Sequence, residues 1–476
     1  MRKSSAQLRI SLQSGFSATK NIRQFSSEVD AVNGQAWIDS CSKHTVWSWS
    51  AQKSVDPIVM AKAKGIYFWD HTGKRYTDFN SQLMCSNIGH QHPAVIQAIK
   101  DQADELCFAG PSMATRIRSE FGPALAKHTP GDLNKFFFTL GGSEANENAI
   151  KVARAVTGRQ KIITRYKSYH GATHGSMMLT SDPRRWPAEK YGGMSGVVRV
   201  FDPYMYRSLL MQDGMTEEEF SAKCVAQLEE TIMYEGPNNI AAMFLETVTG
   251  TNGLIPPPKG YLKGVREVLT KYGILMVCDE VMAGVGRCGE WFACQAYDVV
   301  PDMLTTAKGV TSAYMPLGVL AMSPEIAATF DTSVFSGGLT YSGHPMCLAA
   351  GLAVIKVLEE EKLVENSRNM GVILKQHHER MMDRHPCVGD IRSIGLFGAM
   401  ELVKNRKTKE PLAPYNSSHP AIAEMNKFLK ERGVYAFVAW NIFHTNPPLT
   451  INKEQLDETF EIIDEALEIC DAAYEH

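Results

Sequence analysis

A lysine and an aspartate that follow short apolar stretches are the residues of this sequence with the clearest potential for chemistry. Asp279 ends an apolar run that begins at Ile274, and Lys308 stands 29 positions further on (308 − 279), after Leu-Thr-Thr-Ala. Apolar runs of this length indicate buried strands, so both side chains are expected at strand ends. A lysine amine forms a Schiff base with the aldehyde of pyridoxal phosphate (PLP), and a carboxylate keeps the ring nitrogen of PLP protonated. The pair therefore predicts a PLP site; the alternatives are a helix cap for Asp279 and a surface position for Lys308.

A glycine-rich turn earlier in the chain has the features of an anion-binding loop. Gly142 and Ser143 lie between an apolar strand candidate, 135–140, and a helix with a regular apolar face. Glycine lets the backbone approach an anion closely, and the first N–H groups of a helix point toward negative charge. The Ser143 hydroxyl adds a donor. The turn is therefore predicted to hold the cofactor phosphate; the alternative is a capped helix after a tight turn.

Two further strand candidates also end in residues suited to a ligand site. Tyr169 and His170 follow the strand at 161–165, and Glu246 ends the strand at 241–246. In open α/β sheets ligands collect at the carboxyl ends of the strands, where an aromatic side chain can stack on a planar ring. A charge at such a position needs a partner or water, which indicates a polar site. A packed core tyrosine is the alternative for Tyr169.

Two more residues complete the predicted constellation. Val281 comes two positions after Asp279 and would pack beneath the cofactor ring. Thr340 lies in the glycine-rich loop 335–345 and offers a hydroxyl to an anion. The alternative for this loop is a flexible linker before a capped helix.

Strand and helix patterns alternate between about residues 90 and 340, which indicates a largely parallel sheet covered by helices. Two aromatic-rich runs at 65–79 predict a β-hairpin. Beyond residue 345 the pattern is helical, apart from one strand candidate at 398–403. We therefore expect an α/β fold with a large sheet domain and a smaller domain drawn from both ends of the chain.

Composition excludes several classes of function. The chain carries 44% hydrophobic and 21% charged residues with a net charge of −3, which is ordinary for a globular protein and gives no basic surplus for nucleic acid. No apolar run is long enough to cross a membrane. The ten cysteines form no C-x-x-C and the histidines no H-E-x-x-H, so no metal site is expected and the thiols are expected to be reduced.

The first 27 residues differ in composition from the rest of the chain. They contain five Lys or Arg residues and many serines, and the first acidic residue is Glu28. This composition is typical of a mitochondrial transit peptide, and Arg23-Gln24-Phe25-Ser26-Ser27 resembles a matrix-processing site. The predicted location is the mitochondrial matrix, and otherwise the cytoplasm. The alternatives are a disordered basic tail and a start codon placed too far upstream.

Taken in order, the segments GGSEANENAIKVAR, SYHGATHG, LMVCDEVMAGVGRCGEWF, LTTAKGV and LTYSGHP resemble the class III (ω-type) aminotransferases, which are fold-type-I PLP enzymes. The resemblance extends from about residue 40 onward. It implies a PLP-binding domain with a mostly parallel central sheet at 91–345. It also implies a smaller α+β domain built from 28–90 and 346–476; the transit peptide at 1–27 is predicted from composition alone.

The resemblance assigns roles to individual residues. In such enzymes the matches to Gly142 and Ser143 hold the phosphate, and the match to Thr340 reaches the phosphate of the neighbouring subunit in a homodimer with shared active sites. The remaining matches contact the ring or carry the chemistry: Tyr169 and Val281 on the two ring faces, His170 and Glu246 beside them, Asp279 on the ring nitrogen and Lys308 on the aldehyde. Pocket-wall positions are expected at Trp47 and Met84.

The implied reaction is a ping-pong transamination between small molecules. An amine donor passes its amino group to PLP, and an oxo acid then accepts it. The segments ETVTGTNG and PPLTI are most similar to the branch that transfers amino groups from taurine, β-alanine or 4-aminobutyrate to pyruvate. A PLP-dependent decarboxylase, racemase or aminomutase, or a non-catalytic relative, are the alternatives.

Two departures from the family pattern affect substrate recognition. Position 282 is Met, where relatives that use 2-oxoglutarate often have Gln. The segment 436–441 lacks the arginine with which many pyruvate-using relatives bind an acid group. Either Arg116, Arg392 or another residue takes its place, or the donor is not acidic.

Overall fold

The computed structural model describes residues 34–190 and 192–475. The predicted transit peptide at 1–27 lies outside the described residues. The structure contains three sheets, whose strands are β1 Met60–Lys64, β2 Tyr67–Asp70, β3 Arg75–Asp78, β4 Lys135–Thr139, β5 Lys161–Arg165, β6 Val197–Val200, β7 Ile240–Glu246, β8 Leu275–Asp279, β9 Met303–Thr306, β10 Gly318–Met322, β11 Val388–Ile394, β12 Phe397–Asn405, β13 Glu410–Pro411, β14 Val434–Tyr435, β15 Phe437–Ala439 and β16 Ile442–Thr445.

Helices cover and connect these sheets. They are α1 Gly34–His44, α2 Ser81–Met84, α3 Pro93–Glu105, α4 Arg116–Ala126, α5 Gly142–Thr157, α6 His174–Leu179, α7 Trp186–Glu189, α8 Glu217–Glu235, α9 Tyr261–Tyr272, α10 Pro324–Ala328, α11 Pro345–Glu360, α12 Leu363–Arg384, α13 Pro420–Glu431 and α14 Lys453–Asp471. No helix within the described residues combines the length and the apolar character that a membrane span needs.

The central sheet has seven strands in the order β4-β10-β9-β8-β7-β5-β6. Strand β10 runs antiparallel to both of its neighbours, and the other pairs are parallel. Strand β7 is buried along its whole length, as expected for an apolar strand in a sheet covered on both faces. The predicted α/β fold with a mostly parallel central sheet is confirmed.

The two ends of the chain meet in a second, four-stranded sheet. The antiparallel strands β1, β2 and β3 come from the N-terminal part, and β14 joins β3 in parallel through Val434 and Thr77. This arrangement confirms the predicted hairpin and a smaller domain built from both chain ends. The boundaries at residues 90 and 345 stay predictions.

The region after residue 345 contains more strands than its sequence pattern predicts. One strand was expected at 398–403, whereas the structure has β12 there and five further strands, β11 and β13 to β16. Four of these five are two to four residues long, too short to show an alternating pattern. Strand β11 is half-buried at nearly every position, so its sequence also lacks the alternation of a strand with one buried face. The prediction of a single strand was therefore wrong.

Helix α5 is the element that positions the site, and its sequence explains both of its ends. Its apolar face, which includes Ala145, Ala149 and Ala153, is fully buried, so packing against the sheet fixes its orientation. Its C-terminal cap is Gly158 at φ +66°, a conformation that glycine adopts without strain. Its first residue, Gly142, follows directly from the loop after β4.

Candidate active site

Four neighbouring parallel strands of the central sheet, β9, β8, β7 and β5, end at the same edge. In the strand register Glu246 pairs with Asp279, and Asp279 pairs with Thr305. Adjacent strands lie about 4.8 Å apart, so these three side chains stand side by side. The loops that carry Tyr169 and Lys308 follow β5 and β9 at this same edge. Sheet topology therefore gathers residues that are far apart in the sequence.

Asp279 is held by a network of hydrogen bonds. Its Oδ2 accepts from Asn146 Nδ2 at 2.8 Å and lies 2.8 Å from His170 Nδ1, while its Oδ1 accepts from the Val281 N–H at 3.0 Å. Asn146 in turn accepts from the Thr305 hydroxyl at 2.8 Å. All of these side chains except Val281 are buried, so the carboxylate has one well-defined position.

The N-terminal turn of α5 forms a tight cradle. The Ser143 hydroxyl accepts from the Ala172 N–H at 3.0 Å. A Cβ added at Gly142 would stand 2.8 Å from a methyl carbon of Val281, and one added at Gly171 would stand 2.5 Å from the Ser143 hydroxyl. Both positions therefore require glycine for close approach of the backbone. The free N–H groups of a 16-residue helix begin at this turn, which is suited to an anion.

Lys308 occupies a strained position at the end of β9. Its φ of +44° lies in the left-handed region, which a non-glycine residue adopts at a cost of roughly 1 kcal/mol or more. Its side chain is half-buried and lines the cavity described below. Strain of this kind is common where a side chain must be aimed at a ligand.

Glu246 and Tyr169 are linked at the same edge. Glu246 Oε1 accepts from the Tyr169 N–H at 3.0 Å, and its Oε2 accepts from the Gly250 N–H at 2.8 Å. Burial raises the pKa of Glu246 above its usual range, and the neighbouring Asp279 adds to this rise. Burial also raises the pKa of the Tyr169 hydroxyl. The side chain of Glu246 therefore orders the loop that carries Tyr169.

A cavity of about 740 Å³ opens at this edge, and most of the residues predicted from the sequence line it. Lining residues from the predicted set are Met84, Gly142, Ser143, Tyr169, His170, Glu246, Asp279, Val281 and Lys308. Met84 belongs to α2, whose four residues all have positive φ, so this short turn is left-handed. Trp47 and Thr340 are not among the lining residues.

Local geometry explains both exceptions. The side chain of Gln52 hydrogen-bonds both the N–H and the carbonyl of Trp47, at 2.8 and 2.9 Å, and holds this residue away from the cavity. Trp49, at φ +53°, lines the cavity instead, with its ring 6.5 Å from that of Tyr169 and nearly perpendicular to it. Thr340 is exposed on the surface beside Tyr341.

The two arginines expected to bind an acid group also lie outside this cavity. Arg116 is exposed and pairs with Glu105 and Glu120. Arg392 is half-buried, and it donates to the Gly253 carbonyl at 2.7 Å and pairs with Glu401 at 3.1 Å. Neither guanidinium is available to a ligand at the strand ends.

Two lining residues that sequence reasoning missed are Asn146 and Arg184. Asn146 lies one turn into α5 on its buried face, and a polar residue on an otherwise apolar helix face was the signal for it. Arg184 stacks on Tyr169, with its Cζ 3.8 Å from the ring centroid. The neighbouring Arg185 pairs with Glu189 instead, and the sequence does not distinguish between the two.

The residues of this cavity fit PLP. The turn at Gly142 and Ser143 suits a phosphate, because the free N–H groups of α5 begin there and added Cβ atoms at Gly142 and Gly171 would crowd Val281 and Ser143. Asp279 is a fixed carboxylate suited to a protonated ring nitrogen, and Tyr169 and Val281 offer flat and apolar surfaces for a ring. Lys308 supplies the amine. We therefore tested the resemblance noted in the sequence by direct comparison with known proteins.

Residues 49–467 match the family described as aminotransferase class-III. The putrescine–pyruvate aminotransferase of Pseudomonas aeruginosa is 33% identical over 429 residues, covering 87% of this chain and 91% of that protein. The crystal structure of taurine:2-oxoglutarate aminotransferase from Bifidobacterium kashiwanohense, in complex with PLP and glutamate, has a TM-score of 0.89 at 42% identity and covers 92% of this chain and 98% of that one. An (S)-enantioselective ω-transaminase from Thermomicrobium roseum has a TM-score of 0.85 at 35% identity, with 92% and 99% covered. The chain thus belongs to the class-III aminotransferases and is a PLP-dependent enzyme of amino-group transfer.

Proposed function

We propose that this enzyme transfers the amino group of a small ω-amino acid of the taurine, β-alanine or 4-aminobutyrate type to pyruvate or a similar 2-oxo acid. The observation that carries this proposal is the meeting of Lys308, Asp279 and the Gly142–Ser143 turn on the wall of one cavity. An amine, a fixed carboxylate and an anion cradle are the three groups that amino-group transfer with PLP requires.

PLP, when bound, supplies a ring that withdraws electrons from the substrate carbon as it loses a proton. In our proposal Lys308 Nζ takes that proton from the substrate carbon and would pass it to the cofactor, since no other amine lines the cavity among the described residues. Asp279 holds the ring nitrogen, and Asn146 and His170 fix the position of its carboxylate. Trp49 and Tyr169 form an aromatic part of the cavity wall.

Pyruvate is our preferred acceptor. Position 282 is Met, and its side chain lines the cavity where relatives that use 2-oxoglutarate often have Gln. Among the described residues the cavity wall offers one guanidinium, which matches the single carboxylate of pyruvate better than the two of 2-oxoglutarate. The second acceptor to test is 2-oxoglutarate, because the taurine aminotransferase at 42% identity is named for it.

A screen of half-reactions tests this proposal. Each donor is added to the holoenzyme without an acceptor, and conversion of the cofactor to its amino form is followed by absorbance. We expect conversion with at least one ω-amino acid, and return to the starting spectrum with pyruvate. Release of carbon dioxide, or retention of the amino group within one molecule, would contradict amino-group transfer.

We also propose a homodimer in which Thr340 serves the active site of the partner subunit. Thr340 lies next to Tyr341, which is 53% exposed and contacts the 43% exposed Phe108 at 5.8 Å between ring centroids. Exposed aromatic side chains grouped in this way favour a covered surface in the assembly. Met113, 62% exposed, is a further exposed apolar residue after α3.

Mixed dimers test this arrangement. When Lys308→Ala and Thr340→Ala are on the same chain, the wild-type chain keeps its lysine but receives an altered threonine from its partner. We expect this dimer to bind PLP more weakly at the intact Lys308 than a dimer that carries the two changes on different chains. Equal affinity in the two dimers would contradict shared sites.

Delivery to the mitochondrial matrix is our proposal for location, based on the basic, serine-rich composition of residues 1–27. Mapping the N-terminus of the protein purified from its own cells tests it. A start at or near Ser26 would support import, whereas retention of Met1 would contradict it.

A further inference from the structure

The cavity wall of this enzyme has an unusual distribution of charge. Its charged side chains among the described residues are Arg184, Glu246, Asp279 and Lys308. In the proposed function the cofactor engages both Asp279 and Lys308. One cation, Arg184, and one acid, Glu246, are then left to face a substrate.

Arg184 is held in a fixed orientation by the residues around it. Its Nε donates to Asp182 at 2.9 Å, and its Nη2 donates to the same carboxylate and to the Thr251 hydroxyl at 3.0 Å. Asp182 is 1% exposed and also accepts from the Asn252 amide at 3.1 Å. The guanidinium lies over the ring of Tyr169. A side chain tied down in this way loses little entropy when it binds a ligand.

One edge of the guanidinium stays available. Among the described residues, no hydrogen-bond acceptor is found for Nη1, whereas Nε and Nη2 are engaged. The side chain is 29% exposed, and Arg184 is part of the cavity wall. An arginine that keeps an amino group free toward a cavity is a natural partner for a carboxylate or a sulfonate.

The carboxyl group of Glu246 does not cancel the positive charge of Arg184 at the site. Both oxygens of Glu246 accept backbone N–H groups, from Tyr169 and Gly250. Burial raises the pKa of this carboxyl group.

We propose that Arg184 is the residue that binds the acid group of the substrate, a carboxylate or sulfonate, and that Asp182 positions it. This inference rests on the proposed function. It assigns a residue to the binding of the substrate's acid group, because the segment 436–441 has no arginine and neither Arg116 nor Arg392 is available. The acid group belongs to the ω-amino acid donor, to the 2-oxo acid acceptor, or to each in turn. The same guanidinium suits a carboxylate and a sulfonate, since each of these groups presents a pair of oxygens that accept hydrogen bonds.

The test compares Arg184→Met with Arg184→Lys and with the control Arg116→Met, which removes an exposed arginine outside the cavity. The donors are β-alanine and taurine, with propylamine as a donor of similar size that has no acid group. The acceptors are pyruvate and the neutral propanal. Propionate binding to each holoenzyme, measured by calorimetry, reports anion recognition without turnover.

We expect Arg184→Met to lower kcat/KM for acidic substrates about 10- to 100-fold, which is the loss of a hydrogen bond to a charged group. Propylamine and propanal should change by about twofold or less, as for a substitution with no direct contact. Propionate binding should weaken in parallel, and Arg184→Lys should restore part of the loss. A loss confined to β-alanine and taurine assigns Arg184 to the donor, and a loss confined to pyruvate assigns it to the acceptor.

Three results would overturn the inference. Equal losses for neutral and acidic substrates would mean that Arg184 only supports the fold around Tyr169. Unchanged propionate binding in Arg184→Met would place anion recognition elsewhere. So would a loss of kcat/KM for acidic substrates in Arg116→Met as large as that in Arg184→Met. Failure of the wild-type enzyme with every donor, neutral or acidic, would instead contradict the proposed function itself.

Discussion

Asn146 is the residue on which the position of Asp279 depends most, and replacing it by alanine should have a large effect. Its amide is 1% exposed and makes three hydrogen bonds. Nδ2 donates to the His170 carbonyl at 2.7 Å and to Asp279 Oδ2 at 2.8 Å, and Oδ1 accepts from the Thr305 hydroxyl at 2.8 Å. Asn146→Ala removes all three and leaves their partners buried.

The expected cost follows from these bonds. A hydrogen bond to a charged group contributes about 2 kcal/mol and each neutral one about 1 kcal/mol, so the loss in the free energy of unfolding is about 4 kcal/mol. The matched control is Asn148→Ala, two residues further along α5. Asn148 is also buried, but its amide makes a single hydrogen bond, to the Glu144 carbonyl at 2.8 Å. The control should lose about 1 kcal/mol.

Urea denaturation of the apoprotein measures both changes. With a denaturant slope of about 3 kcal/mol/M, Asn146→Ala should lower the urea midpoint by about 1.3 M, and Asn148→Ala by about a quarter of that. Asn146→Ala should also weaken PLP binding, since Asp279 loses one of its supports. Equal midpoints for the two variants, or unchanged PLP affinity in Asn146→Ala, would refute the idea that Asn146 holds Asp279 in place.

Two further predictions concern the cradle and the C-terminal helix. Gly142→Ala should weaken PLP binding in an equilibrium titration, because its Cβ would stand 2.8 Å from a valine methyl, whereas Gly122→Ala, with nothing within 4 Å, should leave PLP affinity unchanged; equal affinities would contradict a close-fitting cradle. Burial lowers the pKa of His385, but its hydrogen bonds and ion pairs with Asp471 and Asp464 outweigh this and raise it above its usual range. The stability that His385 contributes is therefore fully present below its unfolded pKa of about 6.5 and is lost as pH rises through its folded pKa. In urea denaturation His385→Gln should destabilise the protein more at about pH 5.5 than at about pH 9. A loss of stability that is independent of pH would contradict this assignment.

Much of the central domain could be predicted because its determinants are local. The runs that became β7 and β8 are apolar up to their last residue, which reports burial in a covered sheet, and β5 and β9 each contain a shorter apolar stretch. The apolar spacing of α5 and the glycine after it likewise allow this helix and its C-terminal end to be predicted from the sequence. Since the loops that follow parallel strands meet at one edge, their polar residues could be grouped before any coordinates were considered.

The features that escaped prediction depend on tertiary structure. Whether Trp47 or Trp49 faces the cavity is decided by the hydrogen bonds of Gln52 and by a positive φ, neither of which a pattern reveals. Arg184 and Arg185 are adjacent in the chain, and their roles differ only because Asp182 and Glu189 are folded next to one or the other. The short strands of the C-terminal region carry too few residues for a period, and one of them, β14, forms only through pairing with the distant β3.

The proposed chemistry depends above all on the covalent bond that Lys308 forms with PLP. The most direct measurement is reduction of the holoenzyme with borohydride, followed by proteolysis and mass spectrometry of the labelled peptide. We predict one phosphopyridoxyl group per chain, attached to Lys308 Nζ, and none in Lys308→Ala. A label on a different lysine, or undiminished labelling of Lys308→Ala, would contradict the account.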